Sequence, residues 1–145
     1  MEYIQMGGVK VSRFILGSNP FSGFSHQGAE TDQAMVRYYT AARIKATIMA
    51  AEAVGINTMI GRTDLHFIRL LLEYWEEGGR IQWFAQTCPE VGPHQMCIER
   101  AAANGALACH IHGGVMDHLL AQGRLEEIPQ AVGEIRRRGM LAGIA

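Results

Sequence analysis

ERAAANGALACHIH, residues 99–112, reads as the end of a helix, a single glycine and then a short apolar run. A glycine in that place closes a helix in the left-handed conformation that other residues avoid. If the run is a strand, successive side chains point to opposite faces. Leu107, Cys109 and Ile111 then share the apolar side, turned toward a helix layer, and Ala108, His110 and His112 share the other. The same design returns in AAEAVGINTMIG (50–61), YWEEGGRIQWFAQ (74–86) and EIRRRGMLAGIA (134–145). The four glycines, Gly55, Gly79, Gly105 and Gly139, are 24 to 34 residues apart. Helix followed by strand at that interval is the pattern of βα units around a parallel sheet.

Outward from this repeat, RFILGSN (13–19) supplies one more strand, so five are expected at 13–19, 56–61, 81–87, 107–112 and 141–145, parallel and adjacent in chain order. Thr31 or Asp32 can start a long helix reaching about Val54, and Thr63 or Asp64 a second one through Glu77. Pro93 suits the first turn of a third helix, and Leu125–Arg138 forms a fourth, with Pro129 near its first turn, where a missing N–H matters little. VMDHLLAQ (115–122) reads as an extra short helix, and MEYIQMGGVKVS as a hairpin turning at Gly7-Gly8. No G-x-G-x-x-G follows any strand, which weighs against a dinucleotide-binding sheet. The expected fold class is therefore α/β of the (β/α) TIM-barrel type, with residues 1–145 as a single domain holding the N-terminal hairpin and the first half of the barrel. A whole barrel takes roughly 250 residues. The reading thus expects either a longer chain that supplies the other half or a homo-oligomer that completes it.

A formal net charge of −1 gives no support to a nucleic-acid or anionic-membrane role. Cys88, Cys97 and Cys109 are odd in number and form no C-x-x-C pair, which fits a reducing compartment better than a disulfide framework. No basic segment followed by an apolar run opens the chain, and no apolar stretch reaches the roughly 18 residues of a membrane span. The expectation is a cytoplasmic protein acting on a small-molecule substrate.

MGGVKVSRFILGS (6–18) resembles the opening of the aldo/keto reductases, whose barrel begins with a floor hairpin and a first strand ending in glycine. LEEIPQAVGEIRRRGMLAGIA (125–145) is similar to that family's approach to its fifth strand. The resemblance implies the barrel fold and, as one functional alternative, an NAD(P)-dependent oxidoreductase in which His112 donates the proton. The family's catalytic residues are not carried over intact. Its second strand ends in aspartate with a tyrosine five residues on, where this chain has Ile60 and Leu65. Its third strand ends in lysine, where this chain has Gln86 and Thr87. The histidine that closes its fourth strand has a counterpart in His110 or His112. The family's cofactor-binding half follows the fifth strand, outside residues 1–145.

Barrel chemistry sits at the C-terminal ends of the strands. The residues placed there are Asn19 and His26 after the first strand, Arg62, Asp64 and His66 after the second, Gln86, Thr87, Cys88 and Glu90 after the third, and His110 and His112 on the fourth. Asn19, Arg62, His110 and His112 form the expected catalytic set, with Arg62 positioned to hold a carboxylate or phosphate. His110 and His112 would lie roughly 6.6 Å apart along the strand. Neutral imidazoles so placed can share zinc, iron or manganese if His26, Asp64, His66, Cys88 or a residue beyond 145 supplies a third ligand. They can equally bind a polar substrate without metal. The residue-by-residue alternatives are plainer: Asp64 as a helix cap, Cys88 as buried filler, Glu90 as a surface carboxylate. For the whole chain the plain alternative is a non-catalytic ligand-binding or assembly domain.

Overall fold

The computed structural model describes residues 1–145. A hairpin of β1 (Tyr3–Met6) and β2 (Val9–Ser12) comes first, antiparallel, with Met6 opposite Val9. Gly7 and Gly8 make its two-residue turn with φ of 53° and 86°, the backbone a tight hairpin demands. The remaining strands are β3 (Leu16–Gly17), β4 (Thr58–Arg62), β5 (Gln82–Gln86), β6 (Ala108–Ile111) and β7 (Leu141–Ile144). They form one sheet in the order β3-β4-β5-β6-β7, and the pairings of β3 with β4, β5 with β6 and β6 with β7 are parallel. The architecture is thus mixed α/β with a parallel sheet in chain order. The sheet is not closed.

The helices are α1 (Ala29–Tyr38), α2 (Ala41–Ala53), α3 (Leu65–Glu76), α4 (His94–Ala103), α5 (Gly113–Ala121) and α6 (Glu127–Arg137), with a 3-10 turn at Asn19–Ser22. By contact the chain separates into two compact units. One comprises Met1–Gly61 with Arg69–Gln82, the other Arg62–Ile68 with Trp83–Ala145.

In the first unit Val11, Ile44, Ile48, Met59, Leu71 and Ile81 are buried. Asn57 ties hairpin to sheet: its amide donates to the Lys10 carbonyl and its Oδ1 accepts from Ser12 N, at 2.9 and 2.8 Å. Three local expectations are corrected here. The single helix from residue 31 to 54 is broken after Tyr38. Tyr39 leaves the helical region, its ring meets Phe21 edge-on at 5.0 Å, and the Thr40 hydroxyl caps α2 through Arg43 N. Asp32 does not cap α1. Gly28 holds that position, and Asp32 accepts instead from Ser25 N and Oγ at 2.7 and 2.6 Å. At the Gly78-Gly79 pair the left-handed residue is Gly78, with φ of 95°, and Gly79 is needed for space. A Cβ there would fall 2.1 Å from the ring of buried Tyr74. The strand expected over residues 13–19 is also shorter, because Phe14 is exposed and only Leu16 and Gly17 pair with β4.

In the second unit α4 and α6 pack on each other and on β6, and α6 also packs on β7. Trp83, Ala85, Cys109 and Ile111 are fully buried with Cys97, Ile98 and Ile135 from these helices. Phe67, from the first turn of α3, meets Trp83 with ring centres 6.4 Å apart. Leu107, expected on the buried parity, is 41% exposed. Strand β6 begins one residue later, and Leu107 only joins its neighbours through backbone bonds to Trp83 and Leu141.

Candidate functional site

In the second unit the ladder sets Gln86, His110 and Gly143 side by side across β5, β6 and β7. Paired residues of a parallel sheet share a face, so His110 lies on the face opposite Cys109 and Ile111. Gly143 makes room for it, since a Cβ there would come within 3.1 Å of the His110 Cβ. His110 is half-buried. Burial holds its imidazole below the ordinary histidine range, the nearby His112 adds to that, and a hydrogen bond to the Ala85 backbone opposes both. The ring is thus kept in the neutral form, which has a lone pair to offer.

His112 stands at the corner where β6 becomes α5. Its backbone N–H donates to the Thr87 hydroxyl at 3.0 Å, and Thr87 N donates to the His110 carbonyl at 3.1 Å. Thr87 therefore carries the β5–β6 pairing past the last strand residue. The His112 ring caps α5, with Gly114 N donating to Nδ1 at 3.0 Å. An Nδ1 that accepts carries no hydrogen, so the neutral ring has its N–H on Nε2. Gly114 suits this cap, because a Cβ there would press within 3.3 Å of the same ring.

Arg62 ends β4, and its guanidinium is engaged on both sides: Nε donates to Asp64 Oδ2 at 2.8 Å and Nη2 to Glu90 Oε2 at 3.3 Å. Asp64 also takes Phe67 N at 2.9 Å, the capping bond that starts α3. Glu90, read from sequence most simply as a surface carboxylate, is thus tied to Arg62. Cys88 is buried, and its sulfur accepts from Thr63 N at 3.3 Å. Burial pushes the Cys88 thiol up despite that bond and the charge of Arg62. It pushes the Cys109 thiol up to about 12. Both are therefore protonated thiols near neutral pH, poor nucleophiles and poor ligands.

Asn19 and His26 belong to the first unit, where Asn19 Nδ2 and His26 Nε2 are 3.3 Å apart on the exposed loop after β3. His26 has a φ of 57°, unusual for a residue with a side chain. His66 lies exposed on the first turn of α3. Nowhere do three or more His, Cys, Asp or Glu side chains gather in a way that could hold a metal ion.

The residues that sequence reasoning passed over are Thr87 as a clamp, Thr63 as the donor to Cys88, and Gly143 and Gly114 as spacers. A threonine directly after an apolar strand is a visible signal for the first. The glycines show their purpose only once the register is known. No protein-family model matches the chain, and no curated protein is significantly similar to it.

Proposed function

We propose that the C-terminal end of this sheet is the site of an enzyme that moves a proton on a small polar molecule, with His110 as base and His112 as donor. The observation that carries the reading is the complementary state of the two rings. His110 is held neutral by burial, and His112 accepts at Nδ1 and so presents a hydrogen at Nε2. A base near the end of β6 and a donor two residues on, at the cap of α5, are what a shift of hydrogen between neighbouring atoms requires. Positioned groups of this kind contribute about 10²–10⁴-fold in rate. Arg62 is met by two carboxylates, so the trio carries a net negative charge and favours a neutral substrate over an anionic one. No third metal ligand is at hand, and the reading uses none.

The same proposal takes the sheet as the first half of a (β/α) barrel of the aldo/keto reductase type. In its favour are the parallel order in chain sequence and the hairpin before the first strand. Reductase chemistry is less favoured, because Ile60, Leu65, Gln86 and Thr87 stand where the family keeps its acid and its lysine.

Incubation of the protein in D2O with a panel of small hydroxy and oxo compounds tests the reading, with proton NMR following loss of carbon-bound hydrogen. At least one compound is expected to exchange, and His110→Gln and His112→Gln each to slow that exchange by about 100-fold or more. Exchange unaffected by either substitution, or exchange of nothing in the panel, contradicts it.

A further inference from the structure

A cavity of about 250 Å³ lies beside the histidine corner, lined by Thr87, Pro89, Gly92, Pro93, His94 and Val115. All six residues belong to the second unit. The cavity is bounded by the loop after β5, the first residue of α4 and the first turn of α5. Thr87 and Val115 connect it to His112 directly: the Thr87 hydroxyl accepts the His112 N–H, and Val115 N donates to the His112 carbonyl at 2.9 Å.

Three features of the wall define an occupant. It bears no Lys, Arg, Asp or Glu, and the one carboxylate of the loop, Glu90, is engaged by Arg62. His94 is the wall's one ionisable side chain, so a charged group would lose part of its water there and meet no Lys, Arg, Asp or Glu. Pro89, Pro93 and Val115 give the wall its apolar part, and two prolines fix it before anything binds. Thr87 is 1% exposed, and its hydroxyl has a hydrogen to donate besides the lone pair given to His112. The volume is below the ~300–1,000 Å³ of clefts that take drug-sized ligands.

We infer that this cavity binds the body of the substrate, and that the body is a compact, uncharged alcohol: an apolar ring or short chain bearing an oxygen to which Thr87 donates. The inference rests on the proton-transfer reading and names the substrate class for the same site.

The amide spectrum of the full chain is recorded with cyclohexanol, cyclohexanecarboxylate and cyclohexylammonium at equal concentrations. Cyclohexanol is expected to move the Thr87, Gly92, His94 and Val115 signals saturably, with the two ions binding at least about 10-fold more weakly. Val115→Phe, which fills the cavity, is expected to weaken cyclohexanol about 10-fold. Thr87→Ser keeps the donor and the affinity, whereas Thr87→Val loses roughly fivefold, the worth of one net hydrogen bond. Equal binding of all three probes, no shift at those four residues, or indifference to Val115→Phe would overturn the inference. Repeating the titration on His110→Gln separates the two ideas. Both ideas expect this variant to bind cyclohexanol while losing exchange; native protein that binds cyclohexanol and exchanges nothing in the panel sinks only the catalytic reading, and exchange without cyclohexanol binding sinks only the cavity.

Discussion

At the scale of single residues, His110 couples the site to stability. Its folded-state pKa lies below the ordinary value of about 6.5 that it regains on unfolding. The unfolded chain therefore takes up a proton first as pH drops. The stability associated with the neutral ring is complete above about pH 6.5 and is lost as pH falls through the folded value. Urea titrations of the native protein between pH 7.5 and 5 are expected to show unfolding free energy falling with pH, and His110→Gln to flatten that fall. Equal slopes in the two proteins would mean that the ring is not held neutral by its surroundings. From the sequence, the spacing leads one to expect His110 and His112 on one strand face, whereas β6 ends at Ile111 and His112 is the cap of α5. Their chemical states are not legible there: that of His110 depends on burial between the neighbouring strands and on the Ala85 backbone, and that of His112 on where α5 begins, since the Gly114 N–H meets its Nδ1.

At the scale of elements, the recurring helix, glycine and strand is legible because each piece rests on local physics: a left-handed cap, an apolar run, a capping side chain. Gly55, Gly105 and Gly139 take positive φ as the pattern expects. Where the pattern misleads, a tertiary contact decides. Tyr74 needs the space at Gly79, so Gly78 makes the cap. Phe21 meets Tyr39, and the long helix divides at Thr40. Asp64 shows one residue serving two elements, since it caps α3 through Phe67 N and pairs with Arg62 at the end of β4. Asp64→Ala removes both interactions, whereas Asp64→Asn keeps an acceptor for the cap and loses only the charge. The alanine variant is expected to be less stable than the asparagine variant by about 1 kcal/mol, the usual value of a cap, in chemical denaturation. Equal losses would mean that the ion pair, not the cap, is what Asp64 supplies.

For the molecule as a whole, the order of the sheet is the part that the sequence makes plainest. Parallel neighbours in chain order follow from crossover connections that each hold one or two helices. The division into two compact units is not legible, because the boundaries cut through β4, α3 and β5 and leave no change of composition to mark them. Closure of the sheet is not legible either, since a strand's alternation is the same in an open sheet and in a barrel. The functional reading depends on β5, β6 and α5 being held so that one imidazole caps a helix while its neighbour stays neutral on the adjoining strand. Long-range nitrogen–proton correlation spectra of the histidine rings near pH 7.5 report this directly, because the shifts of Nδ1 and Nε2 show which of them carries hydrogen. The arrangement predicts His112 fixed with its hydrogen on Nε2 and Nδ1 bare, beside a neutral His110. A His112 ring with its hydrogen on Nδ1, or a His110 ring carrying both hydrogens at that pH, would contradict it.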